Sequence, residues 1–221
     1  MIKVANLSKT YKMNSGEVKA LKNINLHVKK GEFLAVIGAS GSGKTTLMNI
    51  LGCLDRPSSG EYTLNGTSVS SLSKRSLARL RNKQIGFIFQ GFNLLEKMTA
   101  IENVELPLMY ARIKSQKRRE LAFSALSKVG LAARATHRPC ELSGGQQQRV
   151  AIARAITQKP SVILADEPTG NLDGKSSEDV LKIIDELHRD GATIVLITHD
   201  PNVANRAQRV IEISDGKIIN N

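Results

Sequence analysis

The chain has 221 residues, enough for one domain with a sizeable lobe and for a core that needs no disulfide or structural metal. Its 32 Lys and Arg against 20 Asp and Glu give a net charge of +12, and the excess is local: residues 71–140 hold 14 basic and 4 acidic side chains, the rest 18 and 16. The composition, 41% hydrophobic and 24% charged, excludes a disordered chain. Apolar runs such as 193–198 (TIVLIT) fall far short of the ~20 residues that cross a bilayer, and the N-terminus lacks the apolar stretch of a signal peptide. Cys53 and Cys140 have no metal-ligand spacing and form no disulfide framework, which points to a reducing compartment.

The first 30 residues read as antiparallel strand material, and 24–28 (INLHV) alternates apolar with polar residues as a half-buried strand does. The run 32–37 (EFLAVI) predicts a buried strand, followed by glycines and a helix from 44 to about 54. Residues 62–64 with Asn65-Gly66 predict a strand ending in a tight turn, and 85–90 (IGFIFQ) a further buried strand. Thr99 with Glu102 has capping-box spacing for a helix start. Residues 115–129 predict a basic amphipathic helix ended by Gly130, and 143 to about 157 another helix. There follow a strand at 162–165, a helix at 176–188, a strand at 192–198, a short helix and a strand at 209–213. Asp215-Gly216 then turns into a hairpin partner at 217–219. Alternation of strand and helix at both ends predicts a parallel-rich α/β core, with a helical lobe at about 98–157 inserted into it.

Gly38-Ala39-Ser40-Gly41-Ser42-Gly43-Lys44-Thr45 fits the pattern G-x-x-x-x-G-K-[ST], with a strand before it and a helix after it. Glycines let backbone N–H groups converge on phosphate oxygens, and a helix N-terminus adds a favourable dipole. Lys44 can bridge β- and γ-phosphates, and the Thr45 hydroxyl can ligate Mg²⁺.

Residues 162–167 (VILADE) form an apolar strand ending in two acids that point to opposite sides. Asp166 suits Mg²⁺, and Glu167 suits the orientation and deprotonation of an attacking water. Gln90 and His199 also end apolar strands, and such residues serve either as surface or capping groups or as site groups at strand C-termini. Leu142-Ser143-Gly144-Gly145-Gln146 precedes another helix: Ser143 is a natural N-cap, and Gly-Gly at a helix start can equally bare N–H groups for a second anion.

On these residues the chain resembles, over essentially its whole length, the nucleotide-binding subunits of ATP-binding-cassette (ABC) transporters. LSGGQ between GASGSGKT and VILADE is that family's signature. The resemblance implies a P-loop NTPase fold with a RecA-like core, an antiparallel β-subdomain and an inserted α-helical subdomain. It implies one ABC ATPase domain over 1–221, with 1–97 and 158–221 forming core and β-subdomain and about 98–157 the helical subdomain. Tyr11 would stack on adenine, while Gly38, Ser40 to Thr46 and above all Lys44 grip the phosphates of ATP. Thr45, Gln90 and Asp166 would hold Mg²⁺, with Glu167, His199, Lys44 and Gln90 serving catalysis. Ser143, Gly144, Gly145 and Gln146 would meet the γ-phosphate bound to a second copy, and Asp173 would lie in the loop that crosses that dimer interface. The segments 52–62, 91–108 and 164–173 are similar to the MacB/LolD-type branch, which serves FtsX-like permeases, with periplasmic or extracellular adaptors in some systems. This implies a peripheral subunit at the cytoplasmic face of the membrane, or the ATPase part of a longer chain.

The rival is a soluble cassette ATPase acting on nucleic acid, to which the basic segment lends appeal. A 4% aromatic content without Trp is poor for base stacking, and no long coiled-coil insertion is present. A guanine-nucleotide reading fails because Asn82-Lys83-Gln84-Ile85 lacks the aspartate of N-K-x-D. The basic residues Arg112, Lys114, Lys117, Arg118 and Arg119 then form either a solvated face or a docking surface for an anionic leaflet or acidic partner elements.

Overall fold

The computed structural model describes residues 1–13 and 16–220. In chain order it begins with β1 (Ile2–Met13), β2 (Gly16–Val28), β3 (Phe33–Ile37), α1 (Lys44–Leu51), β4 (Ser59–Leu64), β5 (Thr67–Ser68) and α2 (Lys74–Gln84). Next come β6 (Ile85–Phe89), α3 (Ala100–Tyr110), α4 (Ser115–Lys128), α5 (Gly144–Ile156), β7 (Val162–Asp166) and α6 (Gly174–Arg189). The chain closes with β8 (Thr193–Ile197), α7 (Pro201–Ala204), β9 (Arg209–Ser214) and β10 (Lys217–Asn220). Backbone contacts divide it into two units, Met1–Ala78 with Gly191–Asn221, and Arg79–Asp190.

In the first unit, β2, β1, β4 and β5 lie side by side as an antiparallel sheet. Leu21, Ile24, Leu26 and Val28 of β2 are buried and their neighbours are not, the alternation that the sequence shows. The two-residue turn at Asn65 (φ 48°) and Gly66 (φ 78°) joins β4 to β5, both residues left-handed as a twisted hairpin requires. A second group places β3 between β8 and β9, parallel to both, with β10 turned back on β9. Phe33 to Val36 are at most 1% exposed, so β3 reads as a continuous apolar run because it is covered on both faces. Each such side chain contributes about 1.5–3 kcal/mol by leaving water.

In the second unit, β6 and β7 pair in parallel, from Ile85 opposite Val162 to Phe89 opposite Asp166. Helix α5, which buries Val150, Ala151, Ile152, Ala153 and Ala155, packs against β6, and α3 and α4 pack on α5 in turn. Both halves of the Thr99–Glu102 capping box form at the start of α3. Helix α4 buries Ala122, Ala125 and Leu126, one stripe at helical spacing, and Gly130 (φ 70°) follows its end. Not all of its basic face is solvated. The Glu105 carboxylate, with its side chain 9% exposed, accepts from Arg118 Nε at 3.0 Å and Arg119 Nη1 at 3.3 Å.

Two local features depart from the sequence pattern. Helix α1 ends at Leu51 rather than near 54, because Gly52 and left-handed Cys53 (φ 54°) turn the chain so that Leu54 and Asp55 both donate to Asn49 O. Helix α2 has no expected counterpart: only Leu77 and Leu80 are buried, among more numerous Lys and Arg.

Candidate functional site

The first unit carries the phosphate loop, Tyr11 and His199. The loop leaves buried β3 at Gly38 and enters α1 at Lys44. Gly43 is the N-cap at φ 113° and supplies no side chain, so the first N–H groups of α1 have no side-chain cap. Such a helix start favours an anion both by its donors and by its dipole. Lys44 Nζ donates to Gly38 O and Ala39 O, each at 2.8 Å, which holds the ammonium against the loop itself. Two glycines are dictated by close approach. A Cβ at Gly38 would lie 2.2 Å from Ile213 O, and one at Gly43 would lie 2.6 Å from Ala20 O. The loop is also pinned from the far end of the sequence, where Gly216 N donates to Ser42 O at 2.9 Å while Lys22 N donates to Gly216 O at 2.8 Å.

Tyr11 lies on β1 and is half-buried. Its hydroxyl donates to Asp55 Oδ2 at 2.9 Å, and Lys9 Nζ sits 4.7 Å from its ring centroid. Lys9 also donates to the other Asp55 oxygen at 2.7 Å. Burial and the Asp55 acceptor raise the Tyr11 phenol, partly offset by a Thr46 hydroxyl hydrogen bond. Burial would raise the Asp55 carboxyl, but bonds from Lys9, the Arg56 amide and Tyr11 outweigh it and hold the group below its ordinary value. The aromatic ring is thus positioned by a charged partner in the segment after α1.

His199 is exposed just beyond β8. Because β8 runs parallel to β3, with Ile197 opposite Val36, it emerges at the same strand edge as the phosphate loop. The neighbouring chain is fixed locally: Asp200 N donates to Thr198 Oγ1 at 3.0 Å, and Asp200 caps α7 through Asn202 N.

The second unit carries Gln90, the two acids, the LSGGQ helix start and Asp173. Register places Phe89 opposite Asp166, so Gln90 and Glu167 follow adjacent strands at one edge. Glu167 has φ 44°, a left-handed backbone that is unfavourable for a residue with a long side chain and is found mainly where surroundings enforce it. Beyond it, Gly170 N donates to Glu167 O at 3.1 Å. Gln90 Nε2 donates to Asn171 Oδ1 at 3.0 Å, and Asn171 Nδ2 donates back to Gln90 O at 3.2 Å. Asp173 caps α6, accepting from Ser176 N and Ser176 Oγ at 2.9 and 2.7 Å, and these bonds lower its carboxyl.

At the LSGGQ segment the helix start adopts the capping arrangement in full. Ser143 Oγ accepts from Gln146 N at 3.3 Å and Gln146 Oε1 accepts from Ser143 N at 3.0 Å, a complete capping box. The capping box uses Gln146, while Gly144 is half-buried and Gly145 is buried close against α6, where a Cβ would lie 2.8 Å from Ser176 Cβ. Farther along α5 are two residues that sequence reasoning did not single out. Gln148 is fully buried, and its Nε2 donates to Phe89 O at 3.2 Å and to Pro168 O at 2.6 Å. Arg154, whose guanidinium is lowered by burial, donates to Asn93 O and Phe92 O at 2.5 and 2.8 Å. Those two acceptor residues are consecutive and both left-handed, at φ 52° and 57°. Helix α5 is therefore tied through Gln148 and Arg154 to the loops after β6 and β7. A polar residue on the otherwise apolar face of α5 was the available signal.

A family model described as ABC transporter matches residues 21–170. The chain belongs to the ABC transporter family. It is 55% identical over 219 residues to the ABC transporter ATP-binding protein YvrO of Bacillus subtilis (strain 168), covering 99% of this chain and 96% of that protein. It is 54% identical over 219 residues to the macrolide export ATP-binding/permease protein MacB of Hyphomonas neptunium (strain ATCC 15444), covering 99% of this chain but 34% of that protein. The chain thus spans about a third of its MacB relatives. Among solved structures, the dimeric post-hydrolysis state of the ATP-binding cassette MJ0796 bound to ADP and Pi superposes with a TM-score of 0.91 at 46% identity, covering 99% of this chain and 97% of that one.

These likenesses give the ABC ATPase its fold class, a P-loop α/β cassette with an antiparallel β-subdomain and a helical subdomain, and its MacB-like branch. They do not favour the nucleic-acid alternative. No described helix is long and apolar enough to cross a membrane. The donors assigned to Mg²⁺ fit that ion chemically: a threonine hydroxyl, an amide oxygen and a carboxylate are hard oxygen ligands. Among the described residues no three His, Cys, Asp or Glu group as a metal cage. Mg²⁺ that arrives on nucleotide phosphates needs none, since it keeps waters and takes few protein ligands.

Proposed function

We propose that this ABC ATPase hydrolyses ATP to drive an FtsX-like membrane permease from the cytoplasmic face of the membrane. The observation that carries the reading is the uncapped start of α1, with Lys44 folded over a loop whose Gly38 and Gly43 are dictated by neighbouring backbone. Tyr11 provides the adenine platform, held by Asp55 and Lys9. Gly38, Ser40, Gly41, Ser42, Gly43, Lys44, Thr45 and Thr46 bind the phosphates. Thr45, Gln90 and Asp166 would hold Mg²⁺, which would supply neutralisation of phosphate charge. Two copies close head to tail, so that Ser143, Gly144, Gly145 and Gln146 of one meet the nucleotide on the other, with Asp173 beside the interface. Glu167 orients and deprotonates water for in-line attack and His199 stabilises that arrangement, a reaction governed by placement and electrostatics.

The helical stretch at about 98–157 is the face for the permease, and the core with its β-subdomain, 1–97 and 158–221, binds nucleotide. Names of relatives such as macrolide export ATP-binding/permease protein support an export or efflux role. The proposed assembly extends to an adaptor on the far side of the membrane. ATP favours the closed pair only through its differential affinity for it, and hydrolysis removes that bias. Glu167→Gln should bind ATP, lose at least about 10²-fold in turnover and accumulate as an ATP-dependent dimer in light scattering. Wild-type turnover, or a variant that stays monomeric with ATP, would overturn the proposal.

A further inference from the structure

We infer that Asn171 is a positioning residue that sets which face of the Gln90 amide is presented to the metal. The inference rests on the proposed metal role of Gln90 and deepens it. The amide atoms of Asn and Gln look alike, so their orientation has to come from the hydrogen-bond chain. Here that chain starts from a group with no choice. Gln90 O is a backbone carbonyl and can only accept, so the Asn171 nitrogen must face it, at 3.2 Å. Asn171 Oδ1 then faces the Gln90 side chain and can only accept, so the Gln90 atom at 3.0 Å must be Nε2. Gln90 Oε1 is turned away, and no bond to it is made among the described residues.

An amide oxygen ligates Mg²⁺ and an amide NH₂ does not. The wrong flip of Gln90 would aim two hydrogens at a cation. Asn171 excludes that flip by holding the main chain and the side chain of Gln90 together. Gly170 supports it sterically. A Cβ there would lie 2.8 Å from Gln90 Nε2 and 3.2 Å from Cδ, so the amide rests against the bare glycine. Asn171 is exposed and caps no helix of its own, since Asp173 caps α6. Its two bonds to Gln90 are the ones this structure shows it to make through its side chain.

The test is a Mg²⁺ titration of fluorescent ATP-analogue binding, made in a Glu167→Gln background so that binding is read without hydrolysis. Gln90→Ala, Asn171→Leu, Gly170→Ala and the pair Gln90→Ala/Asn171→Leu are compared, each also in EDTA. Asn171→Leu should raise the Mg²⁺ concentration for half-maximal binding about three- to tenfold and leave metal-free binding unchanged. Gly170→Ala, which displaces the amide while keeping Asn171, should shift the titration the same way. In the Gln90→Ala background Asn171→Leu should add nothing. A wild-type titration for Asn171→Leu and Gly170→Ala, while Gln90→Ala is shifted, overturns the positioning role alone. Equal loss with and without metal, or an effect that adds to Gln90→Ala, also overturns it by showing a purely structural role. No shift for Gln90→Ala itself removes the metal role of Gln90 on which the inference rests.

Discussion

Phe89 and Asp166 stand opposite one another at the end of the parallel β6–β7 ladder, so the residues that follow them, Gln90 and Glu167, leave adjacent strands one step later. That single register carries a metal-ligand candidate and a base candidate to one edge. A slip of either strand by one residue would turn that strand's side chains to the opposite face.

Glu167 occupies a left-handed backbone at φ 44°, which costs about 1–2 kcal/mol for a residue with a Cβ. Glu167→Gly should therefore gain about 1 kcal/mol, read as a rise in Tm of about 2–4 °C, while ATP turnover collapses. Glu167→Gln, which keeps the Cβ, should lose turnover with no such rise. A lower Tm for the glycine variant would show that the side chain stabilises more than the backbone strain opposes.

Gln148 should behave as a buried strut. Gln148→Leu keeps the volume but strips two donors, leaving Phe89 O and Pro168 O without them inside the second unit. A loss of about 1–3 kcal/mol in chemical denaturation is expected. Turnover should fall further than affinity for ATP, because the phosphate loop lies in the other unit while the loops of Gln90 and Glu167 lie in this one. Unchanged stability would mean that water replaces the lost donors.

Glu105 and Lys117 separate structural from solvated charge. Glu105 is nearly buried and accepts from both Arg118 and the half-exposed Arg119, so Glu105→Ala removes the acceptor of both and should cost about 1.5–3 kcal/mol. Lys117 and Glu120 pair at 3.0 Å with side chains 64% and 54% exposed, and Lys117→Ala should change stability by less than about 0.5 kcal/mol. Thermal melts check both. It follows that a test of membrane or permease docking by charge reversal should use Lys117 and spare Arg118.

Asp55 has a folded-state pKa below its ordinary value of 3.8, so its contribution to stability is present at neutral pH and lost as pH falls through the folded value. Asp55→Asn should melt lower than wild type at pH 7, and the gap should close as the pH drops below about 4. A gap that does not narrow at all as the pH falls would assign the effect to packing of Tyr11 rather than to charge.

Much of this was legible in the sequence because the signals are local. The spacing of Thr99 and Glu102 announced a capping box, and Asn65-Gly66 and Asp215-Gly216 announced turns, since each pattern is complete within four residues. The phosphate loop was legible for the same reason. What stayed hidden depends on partners distant in sequence. Gln148 meets residues 59 and 20 positions away, and Gln90 meets Asn171 across 81, so neither role shows in spacing. The left-handed backbone of Glu167 is set by its surroundings rather than by its type. Helix α2 hides because only Leu77 and Leu80 mark its buried face, although Ser73, whose hydroxyl accepts from Ser76 N at 3.2 Å, was an available cap signal.

The bond from Gly216 to Ser42 has a consequence for synthesis. During translation the phosphate loop emerges early, but the turn that pins it, and the β9 carbonyl that Gly38 lies against, emerge only after the entire second unit has been added. A nascent chain carrying the motif still lacks the backbone that shapes it. The contacts that shape the loop therefore form only once residues 213–216 have been added, although the motif itself lies within the first fifty residues.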